Sequence, residues 1–336
     1  MTPAASHTDG PMKEDAELRQ LAQISAIQEE SMDRNAPTAD TAFCPYCSGI
    51  GKFFVSSTDT NRGTTDAHFD YYQCKECGLV FMHPIPKNMR PYYEGGYQTI
   101  PNNLSELREI AAKERYRMKP ILKHKSGGKL LEIGPWMGIF ACNAKDAGFD
   151  VAAIEIDPTC VDFLNNVVGV RTIQSSNPAE TLAAMDEKFD VITLWHSLEH
   201  IPTPWLVVQR AAERLAPGGI LLIAIPNIES YEFSLLRRSW VHLDCPRHLY
   251  FYPIQSLLKL CSDNGLASLE VTTSDELSDT LSREGWHKWA ASKIHIRYVR
   301  GAVDLLLYLY SRQKQRRENA GTGLTALFYY PSPVHD

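Results

Sequence analysis

The chain has 336 residues, 44% hydrophobic and 22% charged, with a formal net charge of −6 from 34 basic and 40 acidic side chains. That length accommodates two domains, one with a sizeable core, and the apolar content excludes wholesale disorder. No apolar run of about 18 residues is present to span a bilayer, the first residues lack a signal-peptide core, which points to the cytoplasm, and the mild acidity argues against nucleic acid as the main partner.

Residues 1–40, rich in Ala, Pro, Thr, Asp and Glu, read as a mobile leader with one short amphipathic stretch (Leu18, Leu21, Ile24). Residues 41–86 carry four of the eight cysteines as two knuckles, Cys44-Pro-Tyr-Cys47 and Cys74-Lys-Glu-Cys77, one hairpin apart. Each knuckle turns two thiols toward one point, and the pair predicts a tetrahedral, structural zinc ribbon. Two disulfides are the alternative, disfavoured in a reducing compartment. Cys142, Cys160, Cys245 and Cys261 are scattered singly and read as buried residues. Residues 87–127 follow as a linker with Tyr92, Tyr93 and Tyr97, which could close over a site or pack on the core, and a polar helix over about 104–124.

From residue 128 the pattern alternates strand and helix, which predicts an α/β fold with a parallel sheet covered on both faces. Lys129–Ile133 is the first strand, followed by Gly134-Pro135-Trp136-Met137-Gly138 and a helix. Asp150–Ile154 is the second, followed by Glu155-Ile156. A glycine turn at a helix N-terminus, with an acid about 20 residues later to accept from a ribose diol, favours a nucleoside ligand. Trp136 occupies the place of the second glycine of a dinucleotide fingerprint, so the ligand need not be a dinucleotide.

The stretch Leu130 to Gly138 resembles motif I of class I S-adenosylmethionine-dependent methyltransferases, with Glu132, Gly134 and Gly138 matching and Trp136 replacing the middle glycine. Phe189 to Pro202 is similar to the family's fourth strand and following loop, and Leu215-Ala-Pro-Gly-Gly219 to its turn into strand five. The resemblance implies a Rossmann-like seven-stranded methyltransferase sheet over residues 128–336 and S-adenosylmethionine as cofactor. Glu132, Gly134, Pro135, Trp136, Gly138, Glu155 and Ile156 are then the cofactor-binding candidates. With the N-terminal ribbon, the order is similar to that of bacterial enzymes acting on sugars or other small molecules, with methyl transfer to oxygen or carbon.

Transfer of a methyl group to oxygen or carbon needs an aligned nucleophile and a base, or a metal that lowers the nucleophile's pKa. His196, Glu199 and His200 lie at the carboxyl end of strand four, where ligands of open α/β sheets bind. By resemblance to the E-x-x-E-H segment of quinone-biosynthesis O-methyltransferases, they face the acceptor and can hold a divalent cation. His248 falls, by the same resemblance, on the loop over the acceptor. Helix capping and loop packing are the plain structural readings of these residues. Residues 279–317 form a helical insertion, read as packing on the sheet or at a dimer face, with a membrane surface or lipid-linked acceptor as the less favoured reading. Two other functions stay open: an RNA methyltransferase using the ribbon for binding, and a non-catalytic scaffold in which Trp136 closes the pocket.

Overall fold

The computed structural model describes residues 40–93, 100–273, 276–293, 297–318 and 320–331. The expected leader helix and Tyr97 lie outside these residues. The first strands are β1 (Thr41–Phe43), β2 (Ile50–Ser57), β3 (Phe69–Cys74) and β4 (Val80–Met82), an antiparallel meander. The two knuckles join β1 to β2 and β3 to β4 with the same local geometry. Ser48 N–H donates to the Cys44 carbonyl (2.9 Å) and Gly78 N–H to the Cys74 carbonyl (3.1 Å). Ser48 and Gly78 take left-handed φ values of 61° and 78° to close the two turns.

The polar helix expected over 104–124 is interrupted. Helix α1 (Leu104–Ala112), capped by the Asn103 side chain on Glu106 N–H, gives way to a 3-10 turn at Arg115–Met118 and the short α2 (Lys119–Leu122). Pro120 has no N–H to continue the first helix and suits the first turn of the second.

Next come β5 (Gly128–Ile133), α3 (Ile139–Asp146), β6 (Phe149–Glu155), α4 (Pro158–Phe163), β7 (Arg171–Gln174), α5 (Pro178–Ala184), β8 (Phe189–Trp195), α6 (Pro204–Arg214) and β9 (Leu215–Pro226). After them run α7 (Tyr231–Leu236), β10 (Tyr250–Phe251), α8 (Ile254–Asp263), β11 (Ala267–Thr272), the inserted pair α9 (Glu276–Lys293) and α10 (Arg297–Glu318), and β12 (Gly323–Tyr329). Seven of these strands form one sheet in the order β11-β12-β9-β8-β5-β6-β7, with β12 antiparallel to both neighbours. The fold is the expected Rossmann-like α/β sheet. Its central strands are predominantly apolar, as burial on both faces requires; Leu130, Leu131, Val191, Ile192, Leu221 and Leu222 are all 2% exposed or less.

Strand β10 does not join this sheet. It pairs antiparallel with β4, Tyr250 opposite Phe81 and Phe251 opposite Val80, as the fifth strand of the ribbon. One apolar core accordingly runs from Tyr71, Phe81 and Met82 through Trp240 and Phe251 to Ile192 and Ile223. A second core, with Phe140, Leu130, Val151 and Leu164, fills the other face of the large sheet.

Candidate active site and metal centre

The ribbon sulfurs converge. Cys44 Sγ lies 3.7 Å from Cys77 Sγ and Cys47 Sγ 3.4 Å from Cys74 Sγ, with all four within 4.8 Å of one another. A tetrahedron of Zn–S bonds of about 2.3 Å has edges of about 3.8 Å, whereas a disulfide needs about 2.05 Å. All eight cysteines are free thiols. A hydrogen bond from Cys77 brings Cys44 down to about 5, while burial pushes Cys47 up to about 11. Four sulfurs this close cannot all ionise without a cation among them, and the donor set fits zinc.

At the carboxyl edge of the large sheet, the turn after β5 is built around two positive-φ glycines. Gly134 has φ 73°, and a Cβ there would lie 2.7 Å from the Ser197 Cβ; Gly138 has φ 84° and starts α3. Ser197 Oγ donates to the Ile133 carbonyl (2.8 Å), tying this turn to the loop after β8. Trp136 supplies a left-handed φ of 52° where a glycine was expected, and its N–H donates to Glu155 Oε2 (2.9 Å). Its half-buried ring packs against the second core. Glu155 Oε1 also accepts from the N–H groups of Ile156 (2.8 Å) and Asp157 (3.0 Å). The carboxylate is thus fixed at the tip of β6, beside an Ile156 side chain that is 63% exposed. Pro135 is buried within the turn.

Glu132 points into the interior, where burial pushes its carboxyl up to about 8 against the pull of Arg117. Sequence reasoning missed Arg117. It lies in the 3-10 turn before α2, with its guanidinium 5.4 Å above the Trp195 ring at the end of β8. Both line a cavity of about 300 Å³ with Thr272, Thr325 and Lys119, and no residue of the glycine turn is among its lining. The interrupted helix pattern is the one sequence signal that could have marked Arg117.

Beyond β8 the chain turns sharply at His196, φ 50°, into a 3-10 turn over Leu198–His200. The structure groups Glu199, His200 and His248, each offering one ligand atom within 4.8 Å of the others. His196 stands beside this group, its Nδ1 3.8 Å from Glu199 Oε1. Glu199 is 1% exposed, and among the described residues neither carboxylate oxygen receives a hydrogen bond of ordinary length; His248 Nε2 is 4.0 Å away. Burial opposes its ionisation, but His196, His248 and His200 outweigh this and hold the carboxyl below its usual range.

His200 Nδ1 lies 3.0 Å from the Arg247 carbonyl and His248 Nδ1 2.8 Å from the His242 carbonyl. A carbonyl only accepts, so each Nδ1 carries a proton. Burial, with His248 alongside, lowers the His200 pKa to about 4, leaving the ring neutral at pH 7. The rings meet edge to face at 4.6 Å. Tyr93 reaches the same corner, its hydroxyl 3.2 Å from His200 Nδ1. The result is a buried carboxylate beside two imidazoles held by backbone carbonyls, a set able to take a proton or ligate a divalent cation.

The comparisons with known proteins bear on this geometry. A family model described as a methyltransferase domain matches residues 104–271, which contain the glycine turn, Glu155 and the whole histidine corner. The chain belongs to that family. Against the ubiquinone biosynthesis O-methyltransferase of Paraburkholderia phymatum, the chain is 30% identical over 135 residues, 38% of this chain and 58% of the relative. Against the protein of that name from Aliivibrio fischeri strain MJ11 it is 29% identical over 168 residues, 46% of this chain and 72% of the relative. The chain thus spans little more than half the length of the first of these relatives. Among solved structures, a SAM-dependent methyltransferase from Archaeoglobus fulgidus aligns with a TM-score of 0.46 and 16% identity, over 65% of this chain and 94% of its own.

Proposed function

We propose that the chain is an S-adenosylmethionine-dependent methyltransferase that methylates a hydroxyl group of a small molecule. The observation that carries this reading is the Glu199–His200–His248 cluster at the carboxyl edge of β8, one turn from the glycine loop that Ser197 braces. The cofactor supplies an electrophilic methyl group, and the residues fit it. The Gly134 turn, with no side chain of its own, packs directly on Ser197, Glu155 held at the tip of β6 is the group for a ribose diol, and Ile156 beside it offers an apolar face for a base.

The chain's own residues then orient the acceptor and take its proton. His200, neutral with its proton on Nδ1, presents Nε2 as the base, and Glu199 stabilises the imidazolium that results. The same three side chains could hold a divalent cation, which would lower the pKa of the acceptor hydroxyl. The relatives' printed name supports an oxygen acceptor on a small molecule; a sugar-type acceptor or a carbon nucleophile fits the same cluster.

The experiment is calorimetric titration of the zinc-loaded protein with S-adenosylmethionine and S-adenosylhomocysteine. A methyl-transfer assay on catechols and nucleotide sugars, with and without EDTA and Mg²⁺, follows it. Micromolar cofactor binding with turnover on a hydroxylated acceptor supports the reading; a folded protein that binds neither cofactor form overturns it.

A further inference from the structure

The face of the ribbon farthest from its zinc knuckles is joined to the loop that carries His248. Asp59, in the connection between β2 and β3, is 3% exposed and forms a two-pronged ion pair with Arg247, Oδ1 to Nη2 at 2.6 Å and Oδ2 to Nη1 at 3.0 Å. The Arg247 side chain is fully buried, and Asp244 takes its other edge, Oδ2 to Nε at 2.9 Å and Oδ1 to Nη2 at 2.7 Å. Around this core, Asn61 Nδ2 donates to the Val241 carbonyl (2.7 Å) and to Asp244 Oδ1 (2.6 Å). Ser57 Oγ donates to the Arg238 carbonyl (2.6 Å), and Tyr71 OH to the His248 carbonyl (2.7 Å). Burying an arginine between two carboxylates costs more than packing apolar groups there, so the arrangement calls for a role beyond holding two surfaces together. The carbonyl of this same Arg247 accepts from His200 Nδ1 at 3.0 Å.

We propose that Asp59 is a positioning residue for His200: by clamping Arg247 it sets the carbonyl that fixes the His200 tautomer, which makes the ribbon a wall of the acceptor site. This rests on the methyltransferase reading above for its consequence in turnover, but not for its geometry. Carboxylate and histidine are separated by one guanidinium and one peptide unit. The Leu249 N–H, which donates to the Glu199 carbonyl at 2.8 Å, anchors the other side of the same loop. Asp59 touches neither acceptor nor cofactor. Its effect is confined to where the His200 lone pair points.

The test compares zinc-loaded wild type with Asp59→Asn and Asp59→Glu. Long-range ¹H–¹⁵N spectra of histidine-labelled protein report the tautomer, with His200→Gln to assign the signal. Calorimetry with S-adenosylmethionine and methyl transfer to catechol complete it. Wild type should show His200 as the Nδ1–H form. Asp59→Asn should show a tautomer mixture and a kcat lowered by about 10- to 100-fold, with cofactor affinity retained, and Asp59→Glu should restore part of both. A folded Asp59→Asn protein with the wild-type tautomer and kcat, even one with a reduced Tm, overturns the proposal. If Asp59→Asn does not fold, Asn61→Ala, which releases Asp244 from the same loop, carries the tautomer comparison. Wild type failing to bind S-adenosylmethionine would sink the methyltransferase reading alone, since the tautomer measurement needs no cofactor.

Discussion

Gly134 and Glu155 make the sharpest demands on single side chains. Gly134 combines a left-handed φ with a Cβ position 2.7 Å from Ser197, so Gly134→Ala must displace either the turn or the loop that leads to Glu199. A left-handed non-glycine residue alone costs about 1–2 kcal/mol. Isothermal titration should therefore show cofactor binding lost in a protein that is still folded. Glu155 accepts from three N–H groups, two of its own loop and Trp136 of the glycine turn, so Glu155→Ala leaves those donors without their acceptor as well as removing the proposed ribose contact. Affinity for S-adenosylmethionine should fall at least about tenfold; unchanged affinity would refute the ribose placement. The spacing from glycine turn to acid made Glu155 readable in the sequence. Trp136 was not readable, because only the folded loop shows that its backbone takes the glycine's φ and directs its N–H at Glu155. Arg247 was out of reach too, since its partner Asp59 lies 188 residues away.

At the scale of elements, alternating apolar strands and polar helices disclosed the large sheet, and the knuckle spacing disclosed the four-cysteine cluster. Strand β10 gave no such signal. Two residues have no period, and Tyr250-Phe251 becomes a strand only because Phe81 and Val80 stand opposite. The pairing links the cysteine cluster to the histidine corner. Cys74 precedes β4, β4 carries β10, and β10 directly follows His248 and Leu249. Replacing Cys47 by Ser, or stripping zinc with a strong chelator, should lower the Tm and abolish methyl transfer. S-adenosylmethionine binding at the carboxyl ends of β5 and β6 should be retained, as equilibrium binding alongside turnover will show. Joint loss of both would mean the large sheet depends on the metal as well.

For the whole molecule, the inserted helices leave a distinct pH signature. Glu232 on α7 is fully buried against α9 and α10, with Gln315 Nε2 at 3.5 Å from its Oε2. Burial raises its carboxyl to about 7, only partly offset by hydrogen bonds from Ser282, Gln315 and Trp286. A folded-state pKa above the unfolded value of 4.5 means that the native state holds the extra proton between these limits. The stabilisation is complete below pH 4.5 and is lost as pH rises through about 7. Glu232→Gln cannot lose that proton, so at pH 8 it should be more stable than wild type by on the order of 1–3 kcal/mol. At pH 4 it should be nearly equal. Urea melts at the two pH values measure the difference, and an equal effect at both would exclude Glu232 as its source.

The fifth ribbon strand also sets an order of events during synthesis. Cys44 to Cys77 leave the ribosome early and can gather zinc at once, but the Val80-Phe81-Met82 edge has no partner until Tyr250 and Phe251 emerge, about 170 residues later. At about 5–20 residues per second that interval is on the order of 10–30 s. For that time a buried-type apolar strand stands open, the situation in which edge strands recruit other chains. A nascent chain of this protein is therefore at its most aggregation-prone after β4 has emerged and before β10 arrives to complete the ribbon.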